Sequence, residues 1–497
     1  MYSFMSDATN TEVRVRFAPS PTGFLHVGGL RTALYNFLFA RRHGGSMILR
    51  IEDTDKSREV EGAIGHIIDD LRWAGIRYDE GVTRTGEAMG DHGPYVQSER
   101  LELYRQYARQ LIDADHAYYC FCSEERLEKV RKQQLERHGR SKYDQHCRRL
   151  TAKERQSRLE AGMPHVVRMK IPDTADGEHT FRDTIRGEVS IPYENLDDQI
   201  IMKSDGFPTY HLASVVDDHL MEISHVIRGE EWLPSTPKHL LLYEYLDWKA
   251  PEFAHLPLLL NEDRSKLSKR QGDVMVKDYR EKGYLPEALV NFVALLGWSP
   301  GDDREIFSLD ELTEEFDLQR ISKSGAVFNV EKLQWMNGVY LRNYPMDQLV
   351  ELGRPYLEQA GFETGDRDRV QLILETIRDN MRTLEDIPSA VEVFKARSVA
   401  DRIAADPGLQ DMVEQESSRQ VFEALSRRIT AGESITKKRF LALMKEVQKE
   451  TGVKGKNLWM PVRIALTGEQ HGPELPAVVE ILGKETCLER LRERLSA

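Results

Sequence analysis

The segment Arg16-Phe-Ala-Pro-Ser-Pro-Thr-Gly-Phe-Leu-His-Val-Gly-Gly29 links a predicted strand at 13–17 to a predicted helix and thereby indicates the fold class. Apolar residues at helical spacing over 30–38 indicate the helix, and a pair of glycines ends it. A second strand is predicted at 47–51. A strand–helix–strand unit of this kind predicts a parallel sheet, with a ligand at the carboxyl ends of its strands.

The rest of the chain changes pattern several times. Strand–helix alternation fades after the first quarter of the chain, where a basic helical segment and short strands look inserted. Alternation returns over 209–246, with Thr236 as a helix N-cap and Pro237 as the first helical residue. A further apolar strand is predicted at 253–261, and from about Leu285 the pattern is helical almost throughout. We therefore predict an α/β fold with an α+β insertion, followed by an all-α C-terminal half. The predicted domain ranges are 1–115, 116–208, 209–265, 266–345 and 346–497.

The composition excludes several classes of protein. Of the 497 residues, 40% are hydrophobic and 30% are charged, which is typical of a globular protein and excludes a mostly disordered one. The 69 basic and 82 acidic residues give a net charge of −13, which argues against a non-specific nucleic-acid binder. No apolar run reaches the ~18 residues of a membrane helix, and the N-terminus lacks the features of a signal peptide. We therefore expect a cytoplasmic protein with no membrane partner.

Two basic segments stand out against this acidic background. Residues 126–158 hold 12 Lys or Arg against 4 Asp or Glu, and residues 437–463 hold 8 against 2. In the second segment Phe440, Leu443 and Val447 recur at helical spacing, which predicts an amphipathic helix with a basic outer side. One such segment is typical of a solvated helix face. Two of them on an acidic chain make contact with a polyanion a hypothesis to test.

Two motifs are typical of phosphate sites. In the opening stretch, Gly28 and Gly29 let a ligand approach the backbone, and the helix N-terminus beyond them attracts phosphate. His26 can donate a hydrogen bond to that phosphate. The second motif, Lys266-Leu-Ser-Lys-Arg270, offers three cations on a loop after the last predicted strand. Taken singly, the first motif also fits an ordinary tight turn and the second a solvated basic loop, whereas the pair in this order is far more specific.

These motifs resemble those of one enzyme family. His26-Val-Gly-Gly29 stands where class I aminoacyl-tRNA synthetases carry the HIGH motif, and Lys266-Leu-Ser-Lys-Arg270 stands where they carry KMSKS. Further segments are similar to bacterial glutamyl-tRNA synthetases, namely Arg16-Phe-Ala-Pro-Ser-Pro-Thr-Gly23, Arg50-Ile-Glu-Asp-Thr-Asp55, Pro208-Thr-Tyr-His-Leu-Ala213, Val216-Asp-Asp-His219, Val226-Ile-Arg-Gly-Glu-Glu-Trp232 and Gly455-Lys-Asn-Leu-Trp-Met-Pro-Val-Arg-Ile-Ala-Leu-Thr-Gly468. The resemblance therefore covers nearly the whole chain.

The resemblance implies ATP-dependent attachment of L-glutamate to the 3′ end of tRNA(Glu) through a glutamyl-adenylate. It also implies that Mg²⁺ accompanies the ATP, and it leaves tRNA(Gln) open as a second acceptor. The implied domains are a catalytic domain at 1–115 and 209–265, an acceptor-stem-binding insertion at 116–208, a stem-contact domain at 266–345 and an anticodon-binding region at 346–497. A monomer is the family expectation.

The resemblance also assigns the site residues. Around glutamate it places Arg16, Ala18, Ser20, Glu52, Tyr210, Ser214 and Arg228. Around ATP it places Thr22, Gly23, His26, Gly28, Gly29, Glu231, Trp232, Lys266, Ser268, Lys269 and Arg270, with His26, Lys266 and Lys269 as the catalytic residues. The chain departs from the family pattern twice, since Gly29 replaces the second His of HIGH and Ser214 stands where some relatives place Asn. A structural ion pair between Arg16 and Glu52 is the alternative role for those two residues.

Three of the four cysteines fall within one segment, as Cys120, Cys122 and Cys147. Thiolates at this spacing suggest a tetrahedral zinc site. By the resemblance, Tyr143 is the fourth ligand of a structural zinc, and His146 and His138 compete for that place. Reduced thiols without a metal are the alternative. Cys487 is expected to be an isolated residue on a helix.

Four other functions compete with this interpretation. A glutaminyl-tRNA synthetase shares the nucleotide motifs, but a C-terminal half made of β-barrels would be expected. A tRNA-modifying paralogue would lack the helical C-terminal module. A small-molecule nucleotidylyltransferase has no need for two distant basic faces. A catalytically inactive tRNA-binding protein would not need His26, Glu52, Arg228, Lys266 and Lys269 intact.

Overall fold

The computed structural model describes residues 12–139, 141–173, 177–267 and 274–496. The predictions made for Ser268, Lys269 and Arg270 lie outside the described residues. The chain divides into two compact units, one formed by Met1–Tyr279 with Leu289–Asn329 and the other by Arg280–Ala288 with Val330–Ala497. The predicted domain boundaries at 115, 208, 265 and 345 fall inside these units, so the domain ranges stay a prediction.

All strands of the described residues belong to the first unit. They are β1 (Arg14–Phe17), β2 (Ser46–Leu49), β3 (Gly81–Val82), β4 (Ala88–Met89), β5 (Ala117–Cys120), β6 (Val166–Met169), β7 (Glu178–Asp183), β8 (Gly187–Pro192), β9 (Ile200–Met202), β10 (His225–Gly229), β11 (Glu252–Leu256), β12 (Leu259–Leu260) and β13 (Ala326–Val327). The helices up to residue 315 are α1 (Val27–Arg42), α2 (Ala63–Trp73), α3 (Leu101–Asp113), α4 (Glu124–His138), α5 (Ala152–Glu160), α6 (Tyr210–Leu220), α7 (Thr236–Tyr245), α8 (Val276–Glu281), α9 (Pro286–Ala294) and α10 (Leu309–Glu315).

The predicted strand–helix–strand unit is confirmed. β1 and β2 pair in parallel, with Arg16 opposite Ile48. Between them, α1 buries the apolar face predicted from the sequence, including Leu30, Leu34 and Leu38 at 0% exposure. The helix begins three residues earlier than the apolar pattern shows, because the side chain of His26 caps it by accepting from the Gly29 N–H.

Parallel strands continue on the other side of β1. The Ser224 N–H, just before β10, donates to Arg14 O of β1 at 2.9 Å, which places β10 beside β1. β10 pairs in parallel with β11, and β11 meets the end of β7 in parallel. The carboxyl ends of β1 and β10 therefore lie at the same edge, which is where the site is built.

The predicted cap of α7 is wrong by one residue. Ser235 occupies the N-cap, and Thr236 is the first helical residue, followed by Pro237. A 3-10 helix over Glu230–Ser235 runs directly into α7. The preceding turn therefore continues into the helix, and the Thr236 hydroxyl is free for another contact, described below.

The inserted segment is α+β, as predicted. β5, β6 and β9 form an antiparallel sheet, and β7 and β8 form a hairpin. The basic residues lie on α4, on a 3-10 turn at His146–Arg149 and on α5. Within α4, Lys129, Arg131, Lys132 and Arg137 are exposed, as a solvated or polyanion-binding face requires.

The second unit is helical, as predicted. Its helices from residue 330 are α11 (Val330–Asn343), α12 (Met346–Gln359), α13 (Arg367–Ile377), α14 (Ile387–Ala390), α15 (Ala396–Ala405), α16 (Pro407–Glu414), α17 (Glu416–Thr430), α18 (Lys437–Thr451), α19 (Lys456–Thr467) and α20 (Leu475–Ser496), which is kinked at Gly483. On α18 the predicted apolar face is buried, while Lys438, Lys445 and Lys449 are exposed. Cys487 is buried in α20. Across the described residues, no helix is long and apolar enough to span a membrane.

Candidate active site

A cavity of about 510 Å³ opens at the carboxyl ends of β1 and β10. The structure brings to its wall fourteen of the residues that the sequence assigned to glutamate or ATP, namely Arg16, Ala18, Ser20, Thr22, Gly23, His26, Gly28, Gly29, Glu52, Tyr210, Arg228, Glu231, Trp232 and Lys266. Ser214 is not among the lining residues. It is 1% exposed, and its hydroxyl accepts from Arg50 Nη2 at 3.4 Å, so it supports the site from behind rather than facing a ligand.

His26 holds a fixed orientation at one end of this cavity. Its Nδ1 accepts a hydrogen bond from the Gly29 N–H at 3.1 Å, so a neutral ring carries its proton on Nε2 and can donate from there. A Cβ at position 28 would lie 2.9 Å from His26 Cε1 and 3.0 Å from Nδ1. Gly28 is therefore required for the His26 ring to stand where it does.

A cluster of buried charges lies beneath the cavity. Arg16 Nε donates to Asp218 Oδ1 at 3.0 Å, and Arg50 Nη1 donates to the same oxygen at 2.7 Å. Arg50 Nη2 donates to Glu52 Oε1 at 3.2 Å. The alternative pairing of Arg16 with Glu52 is therefore wrong, because each of these residues has a different partner. Charges buried this deeply persist only when they are paired, and here they hold the carboxyl ends of β1 and β2 in place.

A third carboxylate extends the cluster away from the cavity. Asp217 accepts from Arg100 Nε at 2.7 Å, Gln97 Nε2 at 2.9 Å and the Tyr104 hydroxyl at 2.8 Å. Asp217 is 0% exposed, and every one of its partners is buried as well. The cluster is thus anchored to α3 and the turn that precedes it, which keeps Asp218 and Arg16 rigid.

Glu52 is the carboxyl of the cluster that reaches the cavity. Burial raises the pKa of Glu52 to about 7, although the charges of Arg50 and Arg16 oppose the shift. Burial would also raise the pKa of Asp218, but Arg16 and Arg50 together hold it below its usual value. Asp218 is therefore ionised and paired, whereas Glu52, which is hydrogen-bonded to Arg50, also faces the cavity and can accept a further cationic partner there.

Arg228 is the second buried arginine on the cavity wall, and its surroundings differ from those of Arg16. It is 5% exposed, and its guanidinium donates to neutral groups only. These acceptors are His255 Nε2 at 3.0 Å, Tyr210 Oη at 3.0 Å, Thr236 Oγ1 at 3.1 Å, His239 Nδ1 at 3.2 Å and Trp232 O at 3.5 Å. None of these acceptors is a carboxylate, so none of them neutralises the charge of Arg228. The guanidinium lies at the cavity wall.

Three histidines around Arg228 are neutral. Burial lowers the pKa of His211 to about 4, and it lowers the pKa of His239 well below its usual value. His239 Nε2 lies 3.0 Å from His211 Nδ1, so the proton of His239 is on Nε2 and its Nδ1 accepts from Arg228. Burial also lowers the pKa of His255, although Asp183 opposes this. A buried guanidinium surrounded by neutral acceptors attracts an anionic ligand.

Aromatic and acidic groups line the cavity beside Arg228. The rings of Tyr210 and Trp232 lie 4.1 Å apart at 35°. A Cβ on Gly229 would come within 2.6 Å of both carboxylate oxygens of Glu231, so the glycine lets that side chain fold over the backbone. The Trp232 ring beside the Glu231 carboxylate suits a purine nucleoside.

The sequence missed several residues that build this site. Arg50, Asp217 and Asp218 lie inside segments quoted for the family resemblance, and adjacent charges in predicted buried elements are the signal that would have found them. Asp183, His239 and His255 carry no comparable local signal. The sheet brings Asp183 and His255 to Arg228, and the packing of α7 brings His239 there.

The predicted metal ligands come together in the insertion. The sulfurs of Cys120, Cys122 and Cys147 lie within 4.8 Å of one another. Tyr143 Oη is 3.2 Å from Cys120 Sγ and 3.5 Å from Cys122 Sγ. Hydrogen bonds from Cys147 and Tyr143 lower the pKa of Cys120 to about 4, which favours a thiolate. His146 is exposed and outside the cluster, and the side chain of His138 lies outside the described residues. Three sulfurs and one phenol oxygen fit a tetrahedral zinc ion.

Two family models match the chain. Residues 12–335 match the model described as tRNA synthetases class I (E and Q), catalytic domain, and residues 348–495 match an anticodon binding domain. A glutamate–tRNA ligase of Alkaliphilus metalliredigens is 49% identical over 488 residues, which are 97% of this chain and 98% of that protein. The glutamate–tRNA ligase of Clostridioides difficile is 47% identical over 490 residues, which are 96% and 98% of the two chains.

Solved structures agree with these sequence matches. A crystal structure of a glutamate tRNA ligase from Elizabethkingia meningosepticum in complex with its amino acid matches with a TM-score of 0.87 and 36% identity, covering 98% of this chain and 99% of that one. The glutamate-tRNA synthetase of Elizabethkingia anophelis matches with a TM-score of 0.85 and 37% identity, covering 98% and 100%. The predicted fold class is therefore confirmed, with a Rossmann-type catalytic half and an all-α C-terminal half.

Proposed function

Because the chain belongs to the glutamate–tRNA ligases of the class I tRNA synthetases, we propose that the cavity at β1 and β10 is where it activates glutamate. The protein attaches L-glutamate to tRNA(Glu) at the expense of ATP. The α-carboxylate of glutamate attacks the α-phosphate of ATP, which forms glutamyl-adenylate and releases pyrophosphate. A hydroxyl of the 3′-terminal ribose then attacks the acyl carbon and releases AMP.

The surroundings of Arg228 carry this proposal. A guanidinium that is buried among neutral acceptors costs free energy unless a ligand anion completes the site. The side-chain carboxylate of glutamate suits this place, because it keeps its charge throughout the reaction, whereas the α-carboxylate is consumed. Tyr210 Oη accepts from Arg228, so its own proton is available for the same carboxylate.

The other end of glutamate meets the charge cluster. We propose that Glu52 binds the α-ammonium group, which would restore the charge that burial disfavours on that carboxyl. Arg16, which is paired with Asp218, supplies the cationic contact for the α-carboxylate of glutamate. The loop residues Ala18 and Ser20 line the same side of the cavity. Ser214 acts here only through Arg50.

The nucleotide end of the cavity is built for charge neutralisation. His26 offers Nε2–H and the start of α1 offers backbone N–H groups, beside Thr22, Gly23, Gly28 and Gly29. Glu231 and Trp232 suit the adenosine, and Lys266, Ser268, Lys269 and Arg270 suit the leaving pyrophosphate. Mg²⁺ bound to ATP would neutralise part of the same charge. These groups position and stabilise the phosphate, and no protein nucleophile is required.

Exposed basic residues in both compact units suggest that the partner is tRNA. The exposed cations of α4 and α5 and those of α18 suit phosphates at the acceptor and anticodon ends of the tRNA. A monomer is the expectation from the family, and we propose it for this enzyme. Its substrates are those of translation, which supports a cytoplasmic location. We also propose a structural zinc ion on Cys120, Cys122, Tyr143 and Cys147.

The experiment that tests the function is charging of purified tRNA(Glu) and tRNA(Gln) with labelled glutamate, with glutamine as the control amino acid. Glutamate on tRNA(Glu) is expected, and charging of tRNA(Gln) as well would identify a second acceptor. Arg228→Met should raise the KM for glutamate by about 30-fold or more, because the bound carboxylate loses its buried partner. Lys269→Ala should instead slow adenylate formation and leave tRNA affinity intact. Absence of any charging by the wild-type protein would refute the proposal.

A further inference from the structure

Three neighbouring strands place a line of polar side chains behind the cavity. Asp183 ends β7, His255 lies on β11 and Arg228 lies on β10. His255 Nδ1 donates to Asp183 Oδ2 at 2.6 Å, and Arg228 Nε donates to His255 Nε2 at 3.0 Å. Asp183 is 1% exposed and His255 is 0% exposed, and neither lines the cavity.

The sheet itself sets this arrangement. Arg228 and His255 are direct partners in the parallel pair of β10 and β11. Asp183 is the partner of Phe253, two residues before His255. Adjacent strands with this register present the three side chains on one face. The contacts are therefore fixed by backbone pairing, and a ligand is not needed to form them.

We propose that Asp183 and His255 are positioning residues that set the affinity for the side-chain carboxylate of glutamate, because they hold the guanidinium of Arg228 through one imidazole tautomer. The inference rests on the proposed role of Arg228 as the ligand of that carboxylate. Neither residue touches the substrate, so both act through Arg228.

The tautomer follows from which groups can accept. Asp183 is an acceptor, so His255 carries its proton on Nδ1, and Nε2 is left as the acceptor for Arg228. If the proton were on Nε2, the N–H of His255 Nε2 and the N–H of Arg228 Nε would both be donors and would face each other at 3.0 Å. Thr236 Oγ1 lies 3.2 Å from Nε2 and would take the misplaced proton, but Arg228 Nε would still lose its acceptor.

The substitution Asp183→Asn reverses the tautomer without changing shape. Asp183 Oδ1 accepts from the N–H groups of Ile185 at 3.0 Å and of Arg186 at 2.8 Å. Those two donors require an oxygen, so an asparagine must turn its Nδ2 toward His255. Nδ2 is a donor, which makes His255 Nδ1 an acceptor and moves the ring proton to Nε2. The turn after β7 keeps its hydrogen bonds, so the fold is preserved.

The test is the steady-state charging of tRNA(Glu) by full-length Asp183→Asn with glutamate and ATP varied separately. We expect the KM for glutamate to rise by about 10-fold or more, with kcat and the KM for ATP nearly unchanged. A KM for glutamate within about twofold of wild type would overturn the proposal, as would an equal rise in both KM values.

The background variant His255→Phe separates positioning from a general loss of stability. Phe has no ring nitrogen, so the group at position 183 can no longer act on Arg228 Nε through a hydrogen bond. Asp183→Asn should therefore add little to the KM for glutamate in the His255→Phe protein, whatever that substitution costs alone. An equal added effect in both backgrounds would contradict the tautomer argument.

Arg228→Met distinguishes the two proposals. If Arg228→Met leaves the KM for glutamate unchanged, the proposed role of Arg228 fails, and the inference about Asp183 fails with it. If Arg228→Met raises that KM while Asp183→Asn does not, only the positioning role of Asp183 and His255 is refuted.

Discussion

Mild acid should weaken the binding of glutamate through Glu52. Burial raises the pKa of Glu52 to about 7, so this carboxyl loses its charge as the pH falls through that value. If only the ionised form binds the α-ammonium group, the apparent affinity scales with the ionised fraction. That fraction falls from about three quarters at pH 7.5 to about one tenth at pH 6.0, so the KM for glutamate should rise about 8-fold.

The assay is charging of tRNA(Glu) at saturating ATP and tRNA, with glutamate varied at each pH. The histidines around Arg228 do not interfere, because the pKa of His211 is lowered to about 4 and those of His239 and His255 are also lowered. The KM for ATP, measured in the same series, is the control for a general effect of pH on the enzyme.

Glu52→Gln supplies the control. Its KM for glutamate should be about 10-fold to 100-fold higher than that of the wild type at pH 7.5, because a charged hydrogen bond is lost. It should no longer change between pH 6.0 and 7.5. A wild-type KM for glutamate that does not change between pH 6.0 and 7.5 would refute the proposed role of Glu52. The same pH dependence of that KM in Glu52→Gln would also refute it.

Three further predictions concern other parts of the chain. Gly28→Ala should slow adenylate formation about 100-fold, because its Cβ would lie 2.9 Å from the His26 ring and push the ring out of place. Gly65→Ala is the control and should have no effect, because no atom lies nearer than 4.0 Å to its Cβ. An equal effect of both changes in pyrophosphate exchange with tRNA present would argue against this. Purified protein should contain about one zinc per chain by elemental analysis, and Cys147→Ser should lose most of it; a metal-free wild type would exclude the site. Arg490→Leu should lower the free energy of unfolding by about 2–5 kcal/mol, because the buried guanidinium donates to Val393 O, Phe394 O and Leu466 O. Exposed Arg492→Leu is the control in denaturant titrations, and equal midpoints for the two variants would contradict the assignment.

Local patterns predicted what is local in this fold. The apolar spacing of α1 and the turn before it sufficed for the strand–helix–strand unit, because these residues contact one another directly. The loops that line the cavity were also predictable, since ligand contacts in such sheets come from short segments at strand ends. The individual residues came from the family resemblance, and fourteen of them reach one cavity.

The pairing of charges could not be predicted in the same way. The sequence suggested Arg16 with Glu52, two charges at the ends of neighbouring strands. In the structure Arg50 lies two residues from Glu52, hence on the same side of an extended chain, and takes its carboxylate. Arg16 turns to Asp218, 202 residues away. No local pattern indicates which of two buried carboxylates an arginine will meet.

Thr236 shows why a sound local rule can fail beside a site. Threonine followed by proline is typical of a helix start, and the rule predicts that the hydroxyl caps the helix. The hydroxyl oxygen instead accepts from Arg228 Nη2 at 3.1 Å and lies 3.2 Å from His255 Nε2. The Thr236 hydroxyl is thus one of the neutral acceptors that surround the buried Arg228 guanidinium. The hydrogen bond to the buried Arg228 thus outweighs a helix cap worth about 1 kcal/mol. A local sequence rule is expected to fail in this way where function constrains a fold.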